Sequence, residues 1–198
     1  MKGNPFHCPR IALGESVPTT LIPNKGGNAM KFGIATFPGK VIQDFANSYR
    51  KRYDPNYTLI PPHITLKESF HLDEKMLPQA VEHLEQVAQE TAPFNIHFHK
   101  IGSFHPTNNV VYMAVENADE INRLHEKINR GQLHHESGYK FIPHITIGQK
   151  LPQDELLDVY GSLRMLSVDM NSWIDRFHLM YQLENGSWTL YQSFLLQG

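Results

Sequence analysis

Cysteine is nearly absent from this chain of 198 residues, and the one present, Cys8, has no intramolecular partner. A disulfide framework is therefore impossible within the chain, and nothing points to an oxidising compartment. No apolar run approaches the roughly 20 residues that a membrane-spanning helix needs. The N-terminal stretch has no continuous apolar core of the kind a secretory signal carries. A cytoplasmic protein without a membrane partner is the expectation. Net charge is small as well, at -2. Proteins that coat nucleic acid are normally strongly basic, so that class is disfavoured. A nucleotide or an RNA end needs only a local cluster of donors and stays open.

Metal-centre patterns are also missing, although the chain holds 12 histidines. There is no cysteine cluster and no His-Glu-x-x-His helix. His97-Phe98-His99 sets two imidazoles at alternate positions of one strand, a spacing that zinc sites use. No third ligand accompanies them in a fixed local pattern, and His134-His135 falls in an expected loop. These read as surface residues, and no metal or other cofactor is expected.

What the chain does have is one short phrase said twice. Pro62-His63-Ile64-Thr65-Leu66 is matched by Pro143-His144-Ile145-Thr146-Ile147. Ile and Thr are β-branched, and proline is tolerated where a strand begins. Along a strand, positions i and i+2 share a face. His63 and Thr65 therefore share one face with Ile64 and Leu66 behind them, and His144 and Thr146 repeat the arrangement over Ile145 and Ile147.

The surrounding pattern repeats too. A strand over 32–37 is followed by a helix from Lys40 to about Tyr53, with Val41, Phe45 and Tyr49 as its apolar stripe. The first motif strand runs from His63 to about Phe70. Asp73 is placed to cap a helix reaching about Glu90, and a strand follows over 94–104. The second half repeats the order: strand 109–115, helix 118–130, motif strand 139–148, helix 152–163 and strand 173–184. Two copies of a five-element unit indicate two related lobes rather than a solenoid. Asn185-Gly186 reads as a two-residue hairpin turn into a last strand over 188–195. The fold class is thus α/β (α+β) and bilobal: two pseudo-symmetric strand-helix-strand-helix-strand lobes around a central cleft that carries both His-x-Thr strands. Residues 1–29 lack any such periodicity, being rich in proline and glycine. They read as lying outside a single domain at 30–198, either foreign to the natural chain or a poorly ordered extension.

Two imidazoles facing each other across a bound phosphodiester supply a base for the attacking oxygen and an acid for the leaving one. The hydroxyls of Thr65 and Thr146 are suited to the non-bridging oxygens. These paired motifs resemble those of the two-histidine (2H) phosphoesterase superfamily, which includes the 2′-5′ RNA ligase-like proteins. The segments 59–66 and 141–146 and the tail 175–188 resemble, more narrowly, phosphoesterases of bacilli and related Gram-positive bacteria. The resemblance runs from Met30 to the C-terminus. It implies metal-independent opening of 2′,3′-cyclic phosphates, or hydrolysis of related phosphodiesters, on a nucleotide or RNA end. By motif order it implies His63 as proton donor and His144 as proton acceptor, although a symmetric site lets the roles exchange with substrate direction.

The bland readings stand beside these. A single strand histidine is more often a hydrogen-bonded structural residue, and it is the pair that points to chemistry. Lys67 and Ser69 continue the face of His63, so Lys67 is either a phosphate ligand or a solvated rim residue. Arg176 is either a phosphate clamp or half of an ion pair. The aromatics Trp173, Phe177, Tyr181, Trp188 and Tyr191 read first as core, and one of them as a stacking surface for a base second. A non-catalytic phosphate-binding module using the same cleft is the alternative to an enzyme, a metal-dependent hydrolase is a third class, and no obligate protein partner is evident.

Because residues 1–29 carry no periodic apolar pattern, deleting them is expected to leave the melting temperature nearly unchanged. A thermal scan of the shortened chain beside the full one checks this, and a large drop would show that the segment packs on the domain.

Overall fold

Ile64 and Leu66 in one motif, and Ile145 and Ile147 in the other, have no measurable solvent exposure. Burying them turns His63, Thr65, His144 and Thr146, all only half-buried, to the opposite face. The computed structural model in which this is seen describes residues 30–134 and 138–198, so the reading of residues 1–29 lies outside it.

The chain runs β1 (Met30–Thr36), α1 (Lys40–Tyr53), β2 (Ile64–Leu72), α2 (Leu77–Gln89), β3 (Phe94–Ser103), β4 (Val110–Glu116), α3 (Asp119–Ile128), β5 (His144–Gln149), α4 (Gln153–Leu163), β6 (Met170–Ile174), β7 (Arg176–Gln182) and β8 (Trp188–Leu195). The strands form two four-stranded sheets, ordered β2-β1-β7-β8 and β5-β4-β3-β6. All pairings are antiparallel. The motif strands β2 and β5 are each an edge of their own sheet, and these two edges lie against each other.

The bilobal, pseudo-symmetric α/β architecture is present, with one rearrangement that periodicity does not report. The last strand of each half crosses to the other lobe. β3 pairs with β4, and β7 pairs with β1, so each sheet is built from both halves of the chain. The expected strand over 173–184 is in fact two, β6 and β7, broken at Asp175 and placed in different sheets. Helices cross as well: α1, between two strands of one sheet, packs on β5 of the other, and α3 packs on β2. The approach of α1 is close enough that a Cβ on Gly148 would meet Tyr53 Cβ at 3.1 Å.

Three local expectations need correction. The buried stripe of α1 is Ile42, Ala46 and Arg50, one residue round from the expected one, and Val41 is 74% exposed. That face is set by β5 and by a carboxylate partner for Arg50, neither of which lies in the helix. Asp73 makes no side-chain cap. A 3₁₀ turn over Glu74–Met76 intervenes, and α2 begins at Leu77 with Pro78 in its first turn. Finally, β7 and β8 are joined through a three-residue turn, in which Gly186 N–H donates to Leu183 O at 2.9 Å. Gly186 stands at φ 84°, where a side chain is disfavoured.

These burials fix a contrast. Ile64→Ala is expected to cost about 2–5 kcal/mol of folding stability, whereas Val41→Ala, at an exposed position, stays within about 0.5 kcal/mol. Chemical denaturation of the two variants checks it.

Candidate active site

Each motif histidine is oriented in the same way. His63 Nδ1 lies 2.8 Å from Pro61 O, and His144 Nδ1 lies 2.7 Å from Ile142 O, in both cases the carbonyl two residues earlier. A carbonyl oxygen only accepts, so Nδ1 carries the proton and Nε2 is left with its lone pair. Two neutral imidazoles with matching tautomers are the result. A cleft of about 350 Å³ opens between the lobes, lined by His63 and Thr65 from β2's side and Thr146 from β5. His144 stands two residues before Thr146 on the same face. Among the described residues, the hydroxyls of Thr65 and Thr146 make no hydrogen bond, unlike Thr36 and Thr91, which donate to backbone carbonyls.

Loss of surrounding water pushes His63 down to about 4 from its ordinary 6.5. The Pro61 carbonyl opposes this, and the Arg50 guanidinium and His144 add to it. Desolvation also lowers His144, against the pull of the Ile142 carbonyl. Aromatic rings supply much of that dry surrounding. Phe37 lies 6.2 Å from the His63 ring, while Phe104 and Tyr112 pack edge-on to His144 at 4.9 and 5.2 Å. Gly102 is what admits Tyr112, since a Cβ there would fall 2.7 Å from the ring.

A family model described as 2′-5′ RNA ligase superfamily matches residues 38–186. The chain belongs to that superfamily. Membership places it among the enzymes of the 2H phosphoesterase and ligase class. A Geobacillus sp. (strain WCH70) protein named "Putative phosphoesterase" is 54% identical over 85% of this chain and 98% of its own length. One of the same description from Oceanobacillus iheyensis is 50% identical over 84% of this chain and 98% of its own. In fold, the chain is similar to Escherichia coli LigT crystallised with 3′-AMP, with a TM-score of 0.66 and 14% identity over 86% of this chain and all of LigT. A Thermus thermophilus protein, TT0787, has a TM-score of 0.59 and 19% identity over 85% of this chain and 99% of its own.

The remaining candidates of this superfamily member fall in two places. Lys67 is not a solvated rim residue. Pairing in β2 jumps from Thr65 opposite Ala35 to Lys67 opposite Ile34, a bulge that buries two consecutive residues. Its amine borders the cleft but is held by Asn129 Oδ1 at 3.0 Å and Leu133 O at 2.8 Å. Arg176 is outside the cleft lining, and its guanidinium makes a bidentate pair with Asp175 at 2.8 and 3.0 Å. His97 bridges Glu116 and Asp169 on the surface, and His135 lies outside the described residues. Among the described residues, no three His, Cys, Asp or Glu side chains are grouped to hold a metal ion, and no helix is long and apolar enough to cross a membrane.

The aromatic tail divides: Phe177 is core, stacked on Phe194, Trp173 is 58% exposed, and Trp188 lines the cleft. Sequence reasoning puts Trp188 first in the core and only second among the stacking candidates, and it does not single out Arg50, Asp54 and Gln149, which also line the cleft. Only the position of Arg50 on the i, i+4, i+8 row from Ile42 could have signalled it.

The depressed His63 has a consequence for stability. Between pH 6.5 and about 4 the unfolded chain binds a proton at this residue that the folded one does not. Stability therefore falls as pH drops through that window and is fully restored above it. Melting temperatures taken across the window are expected to decline, and to decline less in His63→Asn.

Proposed function

We propose that this superfamily member is a metal-independent phosphodiesterase that opens 2′,3′-cyclic phosphates on a nucleotide or an RNA end, with His63 and His144 as its acid–base pair. The observation that carries the reading is the matched pair of imidazoles on facing strand edges, each giving its Nδ1 proton to a backbone carbonyl and keeping Nε2 free. LigT, whose fold is similar, has been crystallised with 3′-AMP, NADP+ and ATP. Its 3′-AMP is a nucleoside monophosphate of the kind that opening a cyclic phosphate releases.

In the proposed reaction a water attacks phosphorus and gives its proton to the neutral histidine, His144 by motif order. The bond to one ribose oxygen breaks, and that oxygen takes a proton from the other histidine, His63. Thr65 and Thr146 donate to the non-bridging oxygens as charge builds there. The resting site is nearly uncharged at neutral pH, because desolvation holds both imidazoles down. The substrate's own negative charge favours protonation of the donor, so substrate and proton enter together.

Alanine at either histidine is expected to lower the rate about 10²–10⁴-fold, and the double variant to be little worse than the poorer single one. With both free-enzyme pKa values depressed, the bell-shaped profile of kcat/KM is expected to peak below pH 6.5. Dialysis against EDTA is expected to leave turnover intact. Assays on 2′,3′-cyclic nucleotides and RNA with 2′,3′-cyclic ends check all three. Wild-type rates in both histidine variants would overturn the reading, and metal-restored turnover would replace it with a metal-dependent hydrolase.

A further inference from the structure

Arg50 is 2% exposed and Asp54 5%, one turn apart at the end of α1. Their pairing, Nε to Oδ2 at 2.8 Å, is the start of a longer connection. The other oxygen of Asp54 accepts from Gln149 Nε2 at 2.8 Å and from Asn56 N–H at 2.9 Å. Gln149 closes β5, the strand of His144 and Thr146. The far side of the guanidinium donates to Ile60 O at 2.8 Å, directly before Pro61, whose carbonyl orients His63. Three hydrogen bonds therefore run from the strand of one motif histidine to the loop of the other: Gln149 to Asp54, Asp54 to Arg50, Arg50 to Ile60. The path passes under the cleft, which all three side chains line.

We propose that Arg50, Asp54 and Gln149 are positioning residues, a buried tie that fixes the separation of the two histidine strands across the cleft. The inference rests on the acid–base reading of His63 and His144. The geometry suits the task. Each motif strand is a sheet edge with no ladder partner across the cleft, so backbone pairing cannot set the gap between them. α1 is connected to β2 through the chain and packed on β5 through its side chains, and it carries Arg50, with Asp54 at its C-cap. The donors of Arg50 face protein acceptors, so its action on substrate is indirect: it holds the frame. Its charge also bears on His63 and outweighs the opposing influence of Asp54.

Two variants test the tie on 2′,3′-cyclic AMP. Gln149→Leu keeps the bulk but cannot donate to Asp54. Its kcat is expected to fall about 10²-fold, the effect of a misplacement near 1 Å, with KM and the pH profile little changed. Replacing the pair together, Arg50→Met with Asp54→Leu, leaves no unpaired buried charge and so tends to preserve the fold. Here kcat is expected to fall similarly while the limb of the pH profile that His63 sets moves to higher pH, because the guanidinium no longer depresses that residue. Wild-type kcat in Gln149→Leu, with or without a lower melting temperature, would overturn the proposal. Should wild-type protein turn over no cyclic nucleotide, the acid–base reading fails on its own. The tie is then read from the imidazole NMR signals: Gln149→Leu is expected to shift that of His63, across the cleft, and an unmoved signal would overturn it.

Discussion

Four aliphatic side chains govern the site. Ile64, Leu66, Ile145 and Ile147 are buried completely, and strand geometry allows their neighbours only the other face. A register slip of one residue in either strand would push imidazole and hydroxyl into the core and two aliphatics into water. The penalty for that slip, several kcal/mol of lost burial and unsatisfied polar groups, holds each His-x-Thr unit to the cleft far more firmly than any contact of the histidines themselves. The backbone carbonyls of Pro61 and Ile142 then add orientation to position. Function here is placed by the residues that do not take part in it.

What was legible in the sequence follows from the same logic. Period-2 alternation with β-branched residues marks a half-buried strand from local information alone, and both motif strands were placed on that basis. The helices were placed to within a few residues because their apolar rows recur at helical spacing. Partner choice was not legible. Nothing in the residues 94–104 says that this strand pairs with β4 rather than with the strands before it. The register of α1 is not legible because Val41, Phe45 and Tyr49 form as good a row as Ile42 and Ala46 do. What turned the helix was Arg50, and a cation on the inner row makes sense only when Asp54 and Gln149 are seen beside it. The burial of Lys67 is not legible either, because the bulge that causes it leaves no trace in composition.

The electrostatics of the cleft are those of a dry site with little net charge. The Arg50 cation at its floor is matched by Asp54 and Lys67 at its border has Glu68 beside it, while loss of water favours the neutral form of both imidazoles. Such a site has no excess of positive charge to attract bulk polyanions, in keeping with the chain's overall charge of -2. In the proposed reaction an anion small enough to enter brings the charge with it, and the resident groups respond by changing protonation state. The pseudo-symmetry of the lobes is broken around this point. On one side Thr65 pairs with Ala35 and Ala35 with His178, and on the other Thr146 pairs with Tyr112 and Tyr112 with Gly102. The two ends of the proposed phosphodiester substrate would thus meet different walls.

The exchange of strands between lobes also orders events on the ribosome. All four strands of one sheet lie within a continuous stretch from Phe94 to Ile174 and are available to each other as soon as that stretch has emerged. The other sheet has to wait. β1 meets β7 across most of the chain, and the bond from Thr36 Oγ1 to Arg176 O spans 140 positions. Until β7 is free, β1 and β2 have no third strand and present an unpaired edge, a form of nascent chain prone to wrong association. The wall that carries His63 is therefore the last to be completed, and a truncated chain holds one motif histidine on a finished sheet and the other on an unfinished one.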